Sequence, residues 1–203
     1  EIWNGFGPGF ENYGMVKEDA DAIRLGSAPH PIKLGNAGDT QEYEMAGRYW
    51  AWRAAEISKA CRAAAPTEIM TRIRPVLMCQ QGGGWLDKMI PFISAYYGTG
   101  QDGTGSHPTS YYFYGLGGTS YIYGDDNAFA SNGNVSAFIQ SFDLPTLTTA
   151  LKWEALYARS EGIKHILYEG GPHPIPSNPI NDAGWNAINA HSSMETKLVE
   201  LGD

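Results

Sequence analysis

A carboxylate ends a short apolar run in the last third of the chain, in Tyr168-Glu169-Gly170-Gly171. A charge at the end of a buried strand is costly unless it has partners. Two glycines after it let the backbone turn sharply and keep bulk away from the carboxylate. Such a group is either a working acid, base or nucleophile, or an acid that is satisfied by capping the next loop. A second carboxylate, Glu1, opens the chain in Glu1-Ile2-Trp3-Asn4-Gly5. The histidines (His30, His107, His165, His173, His191) show no ligand spacing, and Cys61 and Cys79 lie far apart. Neither a metal site nor any other cofactor is indicated. The two cysteines read as buried thiols that count as small apolar residues rather than as a disulfide.

The elements that must position these groups alternate. Asp39 and Glu42 resemble a capping box, and apolar residues keep helical spacing from about 41 to 64, where Pro66 ends the pattern. Ile73 to Cys79 reads as a buried strand. A helix is predicted from Trp85 to about Tyr97, then a Gly-rich loop over 98–110, then an aromatic strand and its exit loop from Tyr111 to Tyr123. Asp143 is a candidate N-cap with Pro145 in the first turn, and the helix it starts should stop at Gly162. Ile163 to Glu169 reads as the next strand. Pro, Asn and Gly fill 170–184, and a last helix is predicted over 185–201.

Strand and helix in alternation predict parallel strands joined by helical crossovers. A doubly wound sheet and a (β/α)8 TIM barrel both satisfy that pattern. No strand is followed by GxGxxG or GxxxxGK[ST], which weakens a nucleotide-binding version. In barrels the chemistry sits at the carboxy-terminal ends of strands. Gln80 and Gln81, Tyr121 and Glu169 fall at those places.

Glu1-Ile2-Trp3-Asn4 resembles the strand-4 motif of clan A glycoside hydrolases, an Asn-Glu pair followed by an aromatic-rich loop. Tyr168-Glu169-Gly170-Gly171 resembles the strand-7 motif of the same clan. Between them, Arg72 to Leu77 falls where strand 5 belongs and Tyr111 to Tyr121 where strand 6 belongs. The likeness spans nearly the whole chain and is nearest to uncharacterised bacterial barrel proteins. It implies an α/β fold, a (β/α)8 barrel represented from the end of strand 4 to the helix after strand 7, with residues 1–203 forming a single partial catalytic domain. It also implies retaining cleavage of β-glycosidic bonds in a polysaccharide or oligosaccharide. Glu169 would be the nucleophile and Glu1 the general acid/base, about 5 to 5.5 Å apart. The resemblance places Tyr121 where a tyrosine bonds the nucleophile, Gln80 within reach of a sugar hydroxyl, Trp3 and Trp85 as stacking platforms, and His173 beside the nucleophile loop. The Asn that precedes the acid/base in the clan has no counterpart, because the sequence begins at Glu1. Strands 1 to 3 and strand 8 have none either. The chain is therefore expected to be a segment whose partner is the remainder of the barrel from the same parent chain. A carbohydrate-binding barrel without activity, part of a cell-surface or structural assembly, is the alternative.

The composition narrows the field further. A net charge of −8 offers nothing for counterion release on nucleic acid. No apolar run reaches the roughly 18 to 20 residues that cross a bilayer. The 6 Trp and 12 Tyr suit a core and also suit sugar faces, and the 25 Gly suit long loops. Asn134-Val135-Ser136 fits an N-glycosylation acceptor, which with the substrate class points to a secreted or cell-surface location.

Overall fold

A computed structural model describes residues 42–80, 83–125, 135–172, 190, 191 and 194. The described residues fall into two compact units. One lies within Glu1–Gly118 and Trp153–Ile166, the other within Thr119–Lys152 and Leu167–Asp203.

Among the described residues of the first unit, α1 (Glu42–Ala64) comes first, over the span its apolar spacing predicts. Its end is set by Pro66, which caps the short helix α2 (Thr67–Met70). β1 (Val76–Met78) is the buried centre of the run predicted as a strand, with Leu77 fully enclosed. α3 (Gly83–Tyr96) packs against α1. The contact is close because Gly47 faces the Trp85 ring: a Cβ there would lie 3.3 Å from it. Trp50 Nε1 donates to the Met78 carbonyl at 2.9 Å and fastens α1 to the end of β1.

The stretch Tyr111 to Tyr123 departs from the single strand its aromatics predict. Tyr111 and Tyr112 finish a helical turn, α4 (Thr109–Tyr112), which begins after Pro108. The strand that follows is divided at Gly118 into β2 (Gly115–Gly117) and β3 (Thr119–Ile122). β1, β2 and β4 (Lys164–His165) make a parallel sheet in that order. Parallel neighbours need long crossovers, and helices supply them here as the alternation predicts.

In the second unit, β3 pairs in parallel with β5 (Glu169–Pro172). Glu169 therefore begins a strand, where the sequence reading has it end one. The reason lies in the pairing. Leu116 is in register with His165, but Thr119 is in register with Glu169. Two residues separate the registers on one path and three on the other, so the run Ile163 to Glu169 is not one regular strand. Ile122 on β3 joins Phe138 and Ile139 of α5 (Val135–Gln140), Phe142, Leu147 and Met194 in a core cluster. Burying Ile122 fully contributes about 1.5–3 kcal/mol relative to leaving it in water.

α6 (Leu144–Ser160) starts and stops where the sequence says it should. The Asp143 carboxylate accepts the Thr146 backbone N–H at 3.0 Å and the Thr146 hydroxyl at 2.6 Å. At the other end Gly162 has φ +68°. Ile163 N–H reaches the Ala158 carbonyl at 2.9 Å, and Gly162 N–H the Arg159 carbonyl at 3.2 Å, the paired bonds of a Schellman cap.

No helix among the described residues is long and apolar enough to cross a membrane. The described strands form two open parallel sheets, and no closed barrel is present among them.

Candidate active site on the β3–β5 pair

Side chains alternate across a strand, so Thr119 and Tyr121 share one face of β3 while Ser120 and Ile122 share the other. Residues in register on parallel strands point to the same side. Glu169 and Gly171 therefore accompany Thr119 and Tyr121. On this face the Tyr121 hydroxyl donates to Glu169 Oε1. Gly171 lies opposite Tyr121.

The two glycines have separate reasons. Gly171 sits at φ +112°, a conformation side chains rarely adopt. Gly170 sits opposite Ser120, and any Cβ on it would collide with the Ser120 hydroxyl. That hydroxyl reaches the Glu169 carbonyl at 3.4 Å. Tyr123 meets the Tyr121 ring edge-on, with centroids 6.4 Å apart. Partial burial pushes the Tyr123 phenol above its ordinary pKa.

Glu169 is exposed. A carboxylate with one oxygen held by a phenol and the rest of its lone pairs open to solvent is oriented yet available. It can attack an electrophilic carbon, stabilise a developing positive charge, or accept a proton from a bound hydroxyl.

Of the other predicted site residues, two fall among the described residues. Gln80 is exposed just past β1 in the first unit. Trp85 belongs to the same unit and is only 9% exposed against Gly47, so in this structure it serves packing. Gln81, Glu1, Trp3 and His173 lie outside the described residues, as do Asp39, Asn134 and all of the predicted last helix except residues 190, 191 and 194. Of the cysteines, Cys79 is buried and Cys61 half-buried, and both are free thiols. Burial, and then the nearby Glu154 charge, push the Cys79 thiol well above its ordinary value, which keeps it protonated and inert.

One polar pair in the first unit was missed by the sequence reading. Glu154 on α6 has a fully buried side chain, and its Oε2 lies 3.1 Å from His165 Nε2 on β4. The signal was available. Leu147, Leu151, Glu154 and Ala158 follow the helical repeat of one stripe, so Glu154 occupies an apolar position. A buried carboxylate needs a partner, and His165 provides it.

The Tyr121–Glu169 contact thus rests on the geometry of this chain alone: no protein family, characterised protein or solved structure matches it.

Proposed function

We propose that this chain is part of a (β/α)8 retaining glycoside hydrolase that cleaves β-glycosidic bonds, with Glu169 as its nucleophile. The observation that supports this reading is the Tyr121 hydroxyl donating to an exposed Glu169 carboxylate on one face of a parallel strand pair. A nucleophilic carboxylate must be aimed at the anomeric carbon with one oxygen free. A phenol bound to the other oxygen meets that need.

In the proposed reaction Glu169 displaces the aglycone and forms a glycosyl–enzyme ester. The leaving oxygen takes its proton from a second carboxyl group, for which Glu1 is the candidate. That group then removes a proton from water as water cleaves the ester. Gln80, Trp3 and His173 remain candidates for holding the sugar. The barrel itself, with the remaining strands supplied by the same parent chain, belongs to this proposal. So does a secreted or cell-surface location.

The test is covalent capture. The protein is incubated with activated 2-deoxy-2-fluoro-β-glucoside, -mannoside and -xyloside, then digested and sequenced by mass spectrometry. One of the three should leave a fluoroglycosyl mass on the peptide that carries Glu169. Glu169→Gln should lower turnover of the matching aryl glycoside by about three orders of magnitude or more. A label on another residue, or no label from any of the three, would remove Glu169 from the nucleophile's role.

A further inference from the structure

The amino-terminal end of the β1–β2–β4 sheet collects positive charge. Val76, Gly115 and Lys164 are in register, so the three strands begin level with one another. Arg74 stands two residues ahead of β1, Tyr114 one ahead of β2, and Lys164 opens β4. Backbone bonds lace this row together. Tyr114 N–H donates to the Pro75 carbonyl at 2.7 Å, and Lys164 N–H to the Tyr114 carbonyl at 3.0 Å. The Arg74 guanidinium lies 4.2 Å from the centre of the Tyr114 ring. Arg72 precedes the row, and Arg62 and Arg159 stand in the last turns of α1 and α6. The negative end of a helix dipole accounts for a cation in a last turn. It does not account for Arg72, Arg74 and Lys164, which are exposed and lie outside the long helices. None of these three has an ion-pair partner among the described residues. Two carboxylates share this end, Glu68 in α2 and Glu161, which accepts a hydrogen bond from the Thr109 hydroxyl. The cations outnumber them.

We propose that this end of the sheet is a docking surface for an acidic polysaccharide, a chain of uronic acid sugars held through its carboxylates. An arginine stacked on a tyrosine keeps its N–H edge free to grip a carboxylate with two parallel bonds. The Tyr114 ring, 36% exposed, adds an apolar surface against which the C–H groups of a sugar pack. Charge density selects the polymer. A DNA duplex carries one charge per roughly 1.7 Å of its axis and meets the full field of a chain with net charge −8. A uronate polymer carries one carboxylate per sugar ring, sparse enough for a local group of cations to outweigh that field. The surface lies in the first unit and Glu169 in the second, so bound polymer is held by groups other than the one that cleaves it. The choice of a glycan rests on the reading of this chain as a glycoside hydrolase.

The test follows the fluorescence anisotropy of end-labelled oligogalacturonate as the intact chain is added. Wild type should bind it, and raising the salt to about 0.5 M should abolish binding, because exposed charges are then screened within a few ångströms. Arg74→Gln with Lys164→Gln should weaken binding at least about tenfold. Arg53→Gln with Lys152→Gln removes the same charge from exposed positions away from this end and should stay within about twofold of wild type. Melting temperatures check that each variant folds. If the first pair does not fold, Arg72→Gln and Lys164→Gln alone should each weaken binding about threefold. No binding by wild type would overturn the proposal. So would variants of the surface that bind as wild type does, or equal losses in the two double variants, which would mean bulk charge and no site. Tighter binding of labelled oligothymidylate than of the uronate would replace the glycan with a nucleic acid and overturn the partner named here. Glu169→Gln should bind the uronate as wild type does. Binding without a fluoroglycosyl label on wild type would remove the nucleophile and keep the surface, and a label without binding would do the reverse.

Discussion

Gly171 carries a burden out of proportion to its size. Its φ of +112° is one that side chains rarely adopt, although a Cβ there would stand in open space. Gly171→Ala would meet the backbone constraint alone. Strain in that region of backbone costs about 1–3 kcal/mol. Urea unfolding of Gly171→Ala should show a loss of that order, with the slope against urea unchanged. A stability equal to wild type would mean that the turn relaxes freely and that glycine there is incidental. Residue chemistry was only partly legible beforehand. Glu169 stood out because a carboxylate followed by two glycines is an unusual strand end, and Tyr121 came from resemblance. Thr119 and Ser120 gave no signal, because threonine and serine in a strand look like ordinary β-sheet composition. Glu154 did carry a signal, because it falls on the apolar stripe of α6, where a carboxylate needs a partner.

At the scale of elements, helices were read well and strands poorly, and the cause is physical. A helix announces its ends through side chains that satisfy its free N–H and C=O groups. Asp143 and Gly162 do so for α6, and both were identified from sequence. Strands end where pairing ends, and pairing is decided by a distant segment. Tyr111 and Tyr112 resemble strand residues until the turn starting at Thr109 takes them. The cap gives a pH-dependent prediction. The hydrogen bonds from the Thr146 hydroxyl and amide hold Asp143 below the usual carboxylate range, against a small opposing effect of burial. A carboxyl lowered in the folded state stabilises the fold above its unfolded value, near about pH 4. That stability is lost as pH falls through the lowered folded value. Asp143→Ala should therefore melt a few degrees below wild type at pH 7. The two melting temperatures should converge as the pH is lowered below about 4. A gap that stays constant from pH 7 to pH 3 would show that the carboxylate's charge contributes nothing to the cap.

For the molecule as a whole, the parallel pairing predicted from alternating elements is present in both units. Alternation alone does not choose between an open and a closed sheet, because it fits both equally. Net charge does make a whole-molecule statement. At −8 the chain repels polyanions at long range, and this repulsion acts before any surface detail is met. Duplex DNA should run unretarded in a gel shift with micromolar protein at about 0.1 M salt, near the screening length of about 10 Å. A salt-sensitive shift would reveal a local cationic surface strong enough to defeat the overall charge.

The alternation along β3 has a further consequence for how this segment can change over generations. Its meaning depends on parity. Tyr121 reaches Glu169 because it lies two residues past Thr119, the register partner of Glu169, and Ile122 reaches the core because it is one further on. Loss or gain of a single codon just ahead of Thr119 would turn the whole set over, sending Tyr121 toward the core and Ile122 toward solvent. Substitutions can be sampled one at a time here. Insertions and deletions are tolerated only in pairs, so the strand has a reading frame of its own, two residues long.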